Sequence, residues 1–413
     1  MVRAPARGYA NPAVASRPEP DEQRLDSLLA HHGERFAERF GNGSGTRLFF
    51  SPGRVNLMGA HLDYNGGPVM PMALDRGTFI ALRARADDRL TLASTLEGEA
   101  FSARLAELPA AASGRWFDYP LGVVVHLLRG RPRSTGLDVL FGGNLPIGAG
   151  LSSSASICVG TAHALGKAWG QAAEPMTSIV AALWGEREWV GVRCGIMDPY
   201  AVALSRPGHV LWLECKQERF EHLPFDRENL RIAVVDSGIR RELAKGDFNR
   251  RVAECARAFE LLRAHAPDAE CLADVPAAAV ERSADELGPL LARRARHVAS
   301  EVERTRRARA ALLAGDHPGF GRCVSATHES LRELYEVSVP ELDCIVAAAH
   351  EWQGVLGARL TGAGFGGCAV VILARDACAG FDEHVQRAFE QRFGRRPPVF
   401  FFRSDAGPRE YGS

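Results

Sequence analysis

The stretch Asn144-Leu-Pro-Ile-Gly-Ala-Gly-Leu-Ser-Ser-Ser-Ala-Ser156 decides how this chain is read. Pro146 stiffens the entry, and Gly148 and Gly150 open backbone angles closed to residues with a Cβ. Three hydroxyls follow, and the apolar run from Ser156 to Trp169 predicts a buried helix. A glycine turn running into a helix start aims unpaired N–H groups, with their partial positive charge, at one small volume that suits a phosphate. A serine-rich N-cap on an ordinary helix fits the same residues. A Walker A loop does not, because no Gly-Lys-Ser/Thr follows at the required spacing and Gly166-Lys167 falls mid-helix.

Upstream lies Arg47-Leu-Phe-Phe-Ser-Pro-Gly-Arg-Val-Asn-Leu-Met-Gly-Ala-His-Leu-Asp-Tyr-Asn-Gly-Gly67. Leu48 to Ser51 predicts a strand. Arg54, Asn56, His61, Asp63, Tyr64 and Asn65 then crowd into a loop punctuated by glycines, which suits either a polyhydroxy ligand or a polar surface turn. Val69 to Leu74, Thr78 to Ala84 and Leu90 to Ser94 predict further strands. Downstream, Asp198 stands among Cys194, Ile196, Met197 and the apolar run Ala201 to Leu204. A carboxylate in such surroundings is costly unless paired or used; the alternative is an N-cap for a helix beginning at Pro199. Strands are expected at His209 to Glu214 and Leu230 to Asp236, with a Pro-bearing crossover at His222 to Arg227. The arginine-dense segment Ala292 to Gly315 is interleaved with Glu301, Glu303 and apolar residues, so a solvated helix face is the better reading than a nucleic-acid patch. Gly362-x-Gly364-x-x-Gly367, with Asp382 beyond, formally meets a dinucleotide fingerprint, but a β-branched strand follows it where a helix is needed.

Apolar content of 46% and charged content of 24% are ordinary for a globular protein, and 413 residues allow two domains. Fifty basic and fifty acidic side chains cancel, which argues against bulk attraction to nucleic acid or an anionic membrane. No apolar run reaches the length of a membrane span. Nine scattered cysteines without a C-x-x-C pair point to reduced thiols and a cytoplasmic location.

The order Pro-x-Gly-x-Gly-Leu-Ser-Ser-Ser-Ala resembles the phosphate loop of the GHMP small-molecule kinases. Gly53 to Gly67 resembles the sugar-binding signature of the galactokinase family, Cys194-Gly-Ile-Met-Asp198 its catalytic-carboxylate segment, and Leu360 to Leu373 the third GHMP block. The similarity spans about Arg47 to Arg403.

The resemblance implies an α+β, two-domain fold, each domain a mixed or antiparallel sheet packed with helices, with the active site in the cleft between them. Four prolines and no periodicity predict a disordered tail over 1–22; after it the resemblance implies an N-terminal sugar- and ATP-binding domain over 23–224 and a C-terminal GHMP kinase domain over 225–413. It implies Asp198 and Arg54 as catalytic residues, and Ser94 with Gly148, Ala149, Gly150, Leu151, Ser152, Ser153 and Ser154 around ATP. Ser154 and Glu186 would hold Mg²⁺. His61 and Asp63 match sugar-binding positions, Ala60 and Leu62 replace the family's Glu and Thr, and Phe248 replaces a Tyr; Asn249 stands beside it as a possible substitute donor. The partners implied are a small-molecule sugar and ATP, acting on a monomer. Removing the Glu charge at Ala60 relieves on the order of 4 kcal/mol of repulsion against a uronate carboxylate at 4 Å and an effective dielectric of 20. The expected activity is therefore a sugar 1-kinase for a galactose-configured sugar, galacturonate ahead of galactose. L-Arabinose, a catalytically silent sugar/ATP sensor and a non-sugar alcohol kinase are the alternatives.

Overall fold

The strand Arg47–Asn56 is buried from Phe49 onward, which requires cover on both faces of its sheet. The helix Glu22–Phe40 supplies one cover through Leu25, Leu29 and Phe36. The helix Ser153–Ala168 supplies the other through Ala155, Cys158 and Val159, packed in one core with Phe49, Ile80 and Leu82. These relations come from a computed structural model that describes residues 22–129, 135–146, 150–171, 174–192, 194–239 and 244–412. The expected tail falls almost wholly outside the described residues, as do Gly148 and Ala149.

The first sheet has six strands in the spatial order Arg409–Tyr411, Arg47–Asn56, Pro71–Ala84, Leu137–Gly143, Arg89–Ser94 and Phe101–Arg104. It is mixed: Arg89–Ser94 runs parallel to Leu137–Gly143, and the other pairs are antiparallel. A three-stranded antiparallel sheet joins Pro68–Val69, His209–Glu214 and Arg219–Pro224. A third, antiparallel, orders Val355–Thr361, Cys368–Ala374, Leu230–Asp236 and Val399–Phe402. Val55, Met58 and Met70 share a core with Ile232, Val234, Val370 and Ile372, so apolar burial ties the early strands to the late ones. This is the expected α+β architecture of mixed and antiparallel sheets packed with helices. Among the described residues no helix is long and apolar enough to cross a membrane.

Several local expectations are corrected. The polar residues after Gly53 do not leave the strand at once: pairing resumes at Arg54↔Ala73 after a register shift, and the strand runs to Asn56. Pro52 cannot donate to a ladder and sits at this bulge, where the extra residue bends the strand. The two strands expected on either side of Asp75 are one, Pro71–Ala84, because the bulge opposite absorbs the irregularity. Residues 222–224 belong to a strand rather than a crossover. The helix Ala284–Leu313 is solvated on one face only, where Glu303, Arg306 and Arg307 are exposed. Arg294, His297, Glu301 and Arg304 are buried in it, with Arg294 ion-paired to Glu254 and Glu336 at 2.7 Å each.

Candidate active site

Gly53 lets the bulged strand meet the serine loop: a Cβ there would lie 2.9 Å from the Leu151 carbonyl oxygen. In its absence the Arg54 N–H donates to that oxygen at 3.1 Å, which brings the guanidinium to the loop. Arg54 donates from Nη1 to the Gly150 carbonyl at 2.7 Å, and from Nε and Nη2 to both Asp198 oxygens at 2.6 Å each. Such a two-pronged fork on a carboxylate fixes orientation as well as charge. The Arg54 side chain is 8% exposed and that of Asp198 26%, so the pair is buried at its base with the carboxylate edge open.

Asp198 lies inside the first turn of the helix Met197–Leu204, whose N-cap is Ile196. The capping alternative therefore fails, since the carboxylate turns away from its own helix toward Arg54. Ser152 also donates to Asp198 Oδ2. Its backbone is left-handed, with φ 56° and ψ 54°, an uncommon state for serine that turns the chain into the helix Ser153–Ala168. Arg54, Pro146, Gly150, Ser152, Ser154 and Ala363 line a cavity of about 360 Å³. Ser94 ends the strand parallel to the one feeding the loop. Its hydroxyl accepts from the Leu96 and Glu97 N–H groups at 3.0 and 3.2 Å, so the observed role is to hold a turn.

Glu186 sits in a π-helical turn, Gly185–Trp189, that continues the helix Pro175–Trp184. One wider turn re-aims a side chain without ending the helix. Glu186 is 2% exposed, and burial raises its pKa against a hydrogen bond from Ser154 that lowers it. Cys194 donates weakly to it at 3.6 Å, its thiol held neutral by burial that pushes its pKa up to about 12. A buried carboxylate beside a hydroxyl, with weak donors for partners, fits a hard divalent cation of the Mg²⁺ type.

The sugar-type loop is held from the C-terminal half, a feature the sequence reading missed. The Glu301 Oε1 accepts from the Gly59 and Ala60 N–H groups at 3.1 and 3.0 Å, in the concavity two successive N–H groups form beside the left-handed Gly59 and His61. Arg359 donates to the Asn56 and Leu57 carbonyls at 2.6 and 2.9 Å. The signal for Glu301 was present, since residues 294, 297, 301 and 304 follow the alternating three-four spacing of one buried helix stripe.

Within the loop, Leu62 has no exposed surface and packs in the core, so the contact expected of it is corrected to a floor beneath the loop. Ala60 is 4% exposed. His61 is buried, and burial with nearby cations pushes its pKa well below the ordinary value. Phe248 lies on the helix Ala244–Leu262 with its ring 5.4 Å from that of Tyr64, against the loop, while Asn249 faces solvent.

Asp63 is raised to about 6 by burial and then by the Asp198 charge. In the free protein its ionised form is lost as pH falls through 6. A ligand that requires this form should lose about tenfold in kcat/KM between pH 7.5 and pH 5, as the free-enzyme pKa dictates. A pH profile of wild type against Asp63→Asn checks this; a flat profile in the wild type removes Asp63 from ligand binding. Gly195, within the segment Cys194 to Asp198, is a further neighbour, and any methyl placed on it would overlap the Asp63 carboxylate. Gly195→Ala should therefore weaken binding of any ligand held by Asp63, and a binding titration of the variant against wild type checks this.

Three family models match the chain: the galactokinase galactose-binding signature over residues 34–84, the GHMP kinases N terminal domain over 118–206 and the GHMP kinases C terminal over 308–387. The galactokinase of Enterococcus faecalis is 38% identical over 390 residues, covering 94% of this chain and 100% of the relative. That of Exiguobacterium sibiricum is 38% identical over 377 residues, covering 90% and 95%. Among solved structures, Lactococcus lactis galactokinase complexed with galactose superposes with a TM-score of 0.86 at 32% identity, covering 94% of this chain and 99% of that one. The Methanococcus jannaschii mevalonate kinase shares the fold, with a TM-score of 0.64 at 20% identity over 88% of this chain and 99% of its own.

Proposed function

The chain belongs to the galactokinase family of the GHMP kinases, phosphotransferases with an alcohol acceptor, and from that membership we propose that it transfers the γ-phosphoryl of ATP to the anomeric hydroxyl of galactose. The observation that supports this most is the meeting of Arg54 and Asp198 beside Gly150 and Ser152, with Arg54, Gly150 and Ser152 lining the cavity. Phosphoryl transfer needs positioning and charge neutralisation more than covalent chemistry. A carboxylate offers about four lone-pair sites. Arg54 fills two at Asp198 and Ser152 a third, which leaves one for the sugar hydroxyl. Asp198 thus orients that hydroxyl and takes its proton as the bond forms, while Arg54 balances charge on the phosphoryl oxygens. Ser154 and Glu186 would hold Mg²⁺, which neutralises phosphate charge when bound.

Galactose takes precedence over galacturonate here. The buried guanidiniums around the loop are each paired, Arg359 by two backbone carbonyls, Arg304 by Glu301 at 2.9 Å, Arg251 by Glu254 and Arg54 by Asp198, with Arg304 Nη2 and Arg251 Nε the nitrogens left without a hydrogen-bond partner among the described residues. A uronate carboxylate would need a cation of its own. Galacturonate remains a second reading on the strength of the neutral Ala60. No disulfide joins any of the nine cysteines, which suits a cytoplasmic enzyme; we infer a monomer acting on small molecules from the family resemblance alone.

The test is ADP release with Mg²⁺ and galactose, galacturonate, L-arabinose, galactosamine or mevalonate in turn. Galactose should give the highest kcat/KM. A uronate preference would reverse the order proposed, and binding of sugar and ATP without ADP release would make the protein a sensor.

A further inference from the structure

A hydrogen-bonded chain runs from the C-terminal half into the ring of His61. Cys255 Sγ lies 3.0 Å from the Tyr335 hydroxyl, that hydroxyl 2.8 Å from the Tyr64 hydroxyl, and Tyr64 2.8 Å from His61 Nδ1. The far nitrogen, Nε2, is buried and without a hydrogen-bond partner among the described residues. The ring is held between Tyr335, with centroids 4.7 Å apart, and Phe248 at 6.2 Å.

The chain has a preferred direction. Oxygen is a far better acceptor than a thiol sulfur, so the Tyr335 proton goes to Tyr64 rather than to Cys255. Cys255 then donates its S–H to Tyr335 while its sulfur receives a hydrogen bond from Asn65. With its oxygen already accepting from Tyr335, Tyr64 has one use left for its own proton, His61 Nδ1. The reverse direction would end on sulfur as terminal acceptor and leave the thiol proton unplaced. Burial keeps the imidazole neutral and both phenols protonated, so each group has the proton this order needs.

We propose that the Cys255–Tyr335–Tyr64 chain locks His61 as the Nε2–H tautomer, making the ring a dedicated donor to an acceptor oxygen of the bound sugar. Tyr335 and Tyr64 are positioning residues that act through His61. The proposal rests on the sugar-kinase reading for its ligand but not for the tautomer. Phe248 brings no hydroxyl to compete for the Nε2–H, so the departure from the family's tyrosine leaves that proton for the ligand.

Imidazole ¹⁵N NMR of the full chain, with the His61 resonances assigned by their loss in His61→Gln, reads the tautomer directly. Wild type should show protonated Nε2 and bare Nδ1. Tyr64→Phe, which removes the proton donor itself, should give a mixture or the other tautomer, and Tyr335→Phe a partial shift. In the kinase assay Tyr335→Phe should raise the sugar KM about tenfold, the worth of one hydrogen bond, with kcat and ATP KM little changed. A wild-type ring protonated at Nδ1, or a Tyr64→Phe ring that keeps the wild-type state, overturns the proposal. The Nε2–H form in a protein that turns over no sugar would support the tautomer and strike the kinase reading instead.

Discussion

Asp198→Asn is expected to lower kcat by about three orders of magnitude, the middle of the range for a positioned acid–base group. The amide keeps the size of the side chain and one acceptor oxygen, so Arg54 retains part of its fork, but nothing remains to draw the proton from the sugar hydroxyl. ATP affinity should persist, because the carboxylate contacts the side chains of Arg54 and Ser152 and no backbone N–H of the described loop residues. Stability should drop by about 1.5–3 kcal/mol, as for a hydrogen bond to a charged group, and the open carboxylate edge places it toward the lower end. Steady-state ADP release, ATP titration calorimetry and a thermal melt separate the three effects. Turnover within tenfold of wild type would remove Asp198 from the chemistry.

The parts of this site legible in the sequence are those where a residue type answers to a local demand. Pro146, Gly150 and the serines announced a turn into a helix, and that turn is present at Ser152. The left-handed serine itself was not foreseeable, since serine rarely takes that state; its hydroxyl on Asp198 is what repays the strain. The meeting of Arg54 with Asp198 lies 144 residues apart in sequence, and no spacing rule reaches that far. Only resemblance to a family supplied it. Glu301 and Arg359 were hidden for a different reason. Glu301 on an arginine-rich helix reads as solvated, and Arg359 on the strand Val355–Thr361 carries no local signal; only the tertiary fold shows that their partners are backbone groups of the loop from Asn56 to Ala60. The strand Arg219–Pro224 escaped notice because it is mostly exposed and ends in proline. Arg409–Tyr411 escaped because three residues carry no readable alternation, although Arg47 grips its Glu410 at 2.7 and 2.8 Å.

Arg54→Lys separates geometry from charge. The ammonium keeps the positive charge but cannot span both Asp198 oxygens and the Gly150 carbonyl at once. A loss in kcat of about a hundredfold is expected, against about a thousandfold or more for Arg54→Gln, the lower bound for an arginine that stabilises a transferring phosphoryl. Unlike the Asp198 variant, both should also weaken ATP, because the guanidinium braces the loop at Gly150. The decisive measurement is the double variant Arg54→Gln/Asp198→Asn. Two groups joined by two 2.6 Å hydrogen bonds act as one unit, so their losses should not multiply. The double variant should lie within about tenfold of the worse single variant, because removing either partner already disorders the other. Losses that multiply to a millionfold would mean that the arginine and the carboxylate serve separate steps, and that their pairing in the free protein is only a way of storing two charges.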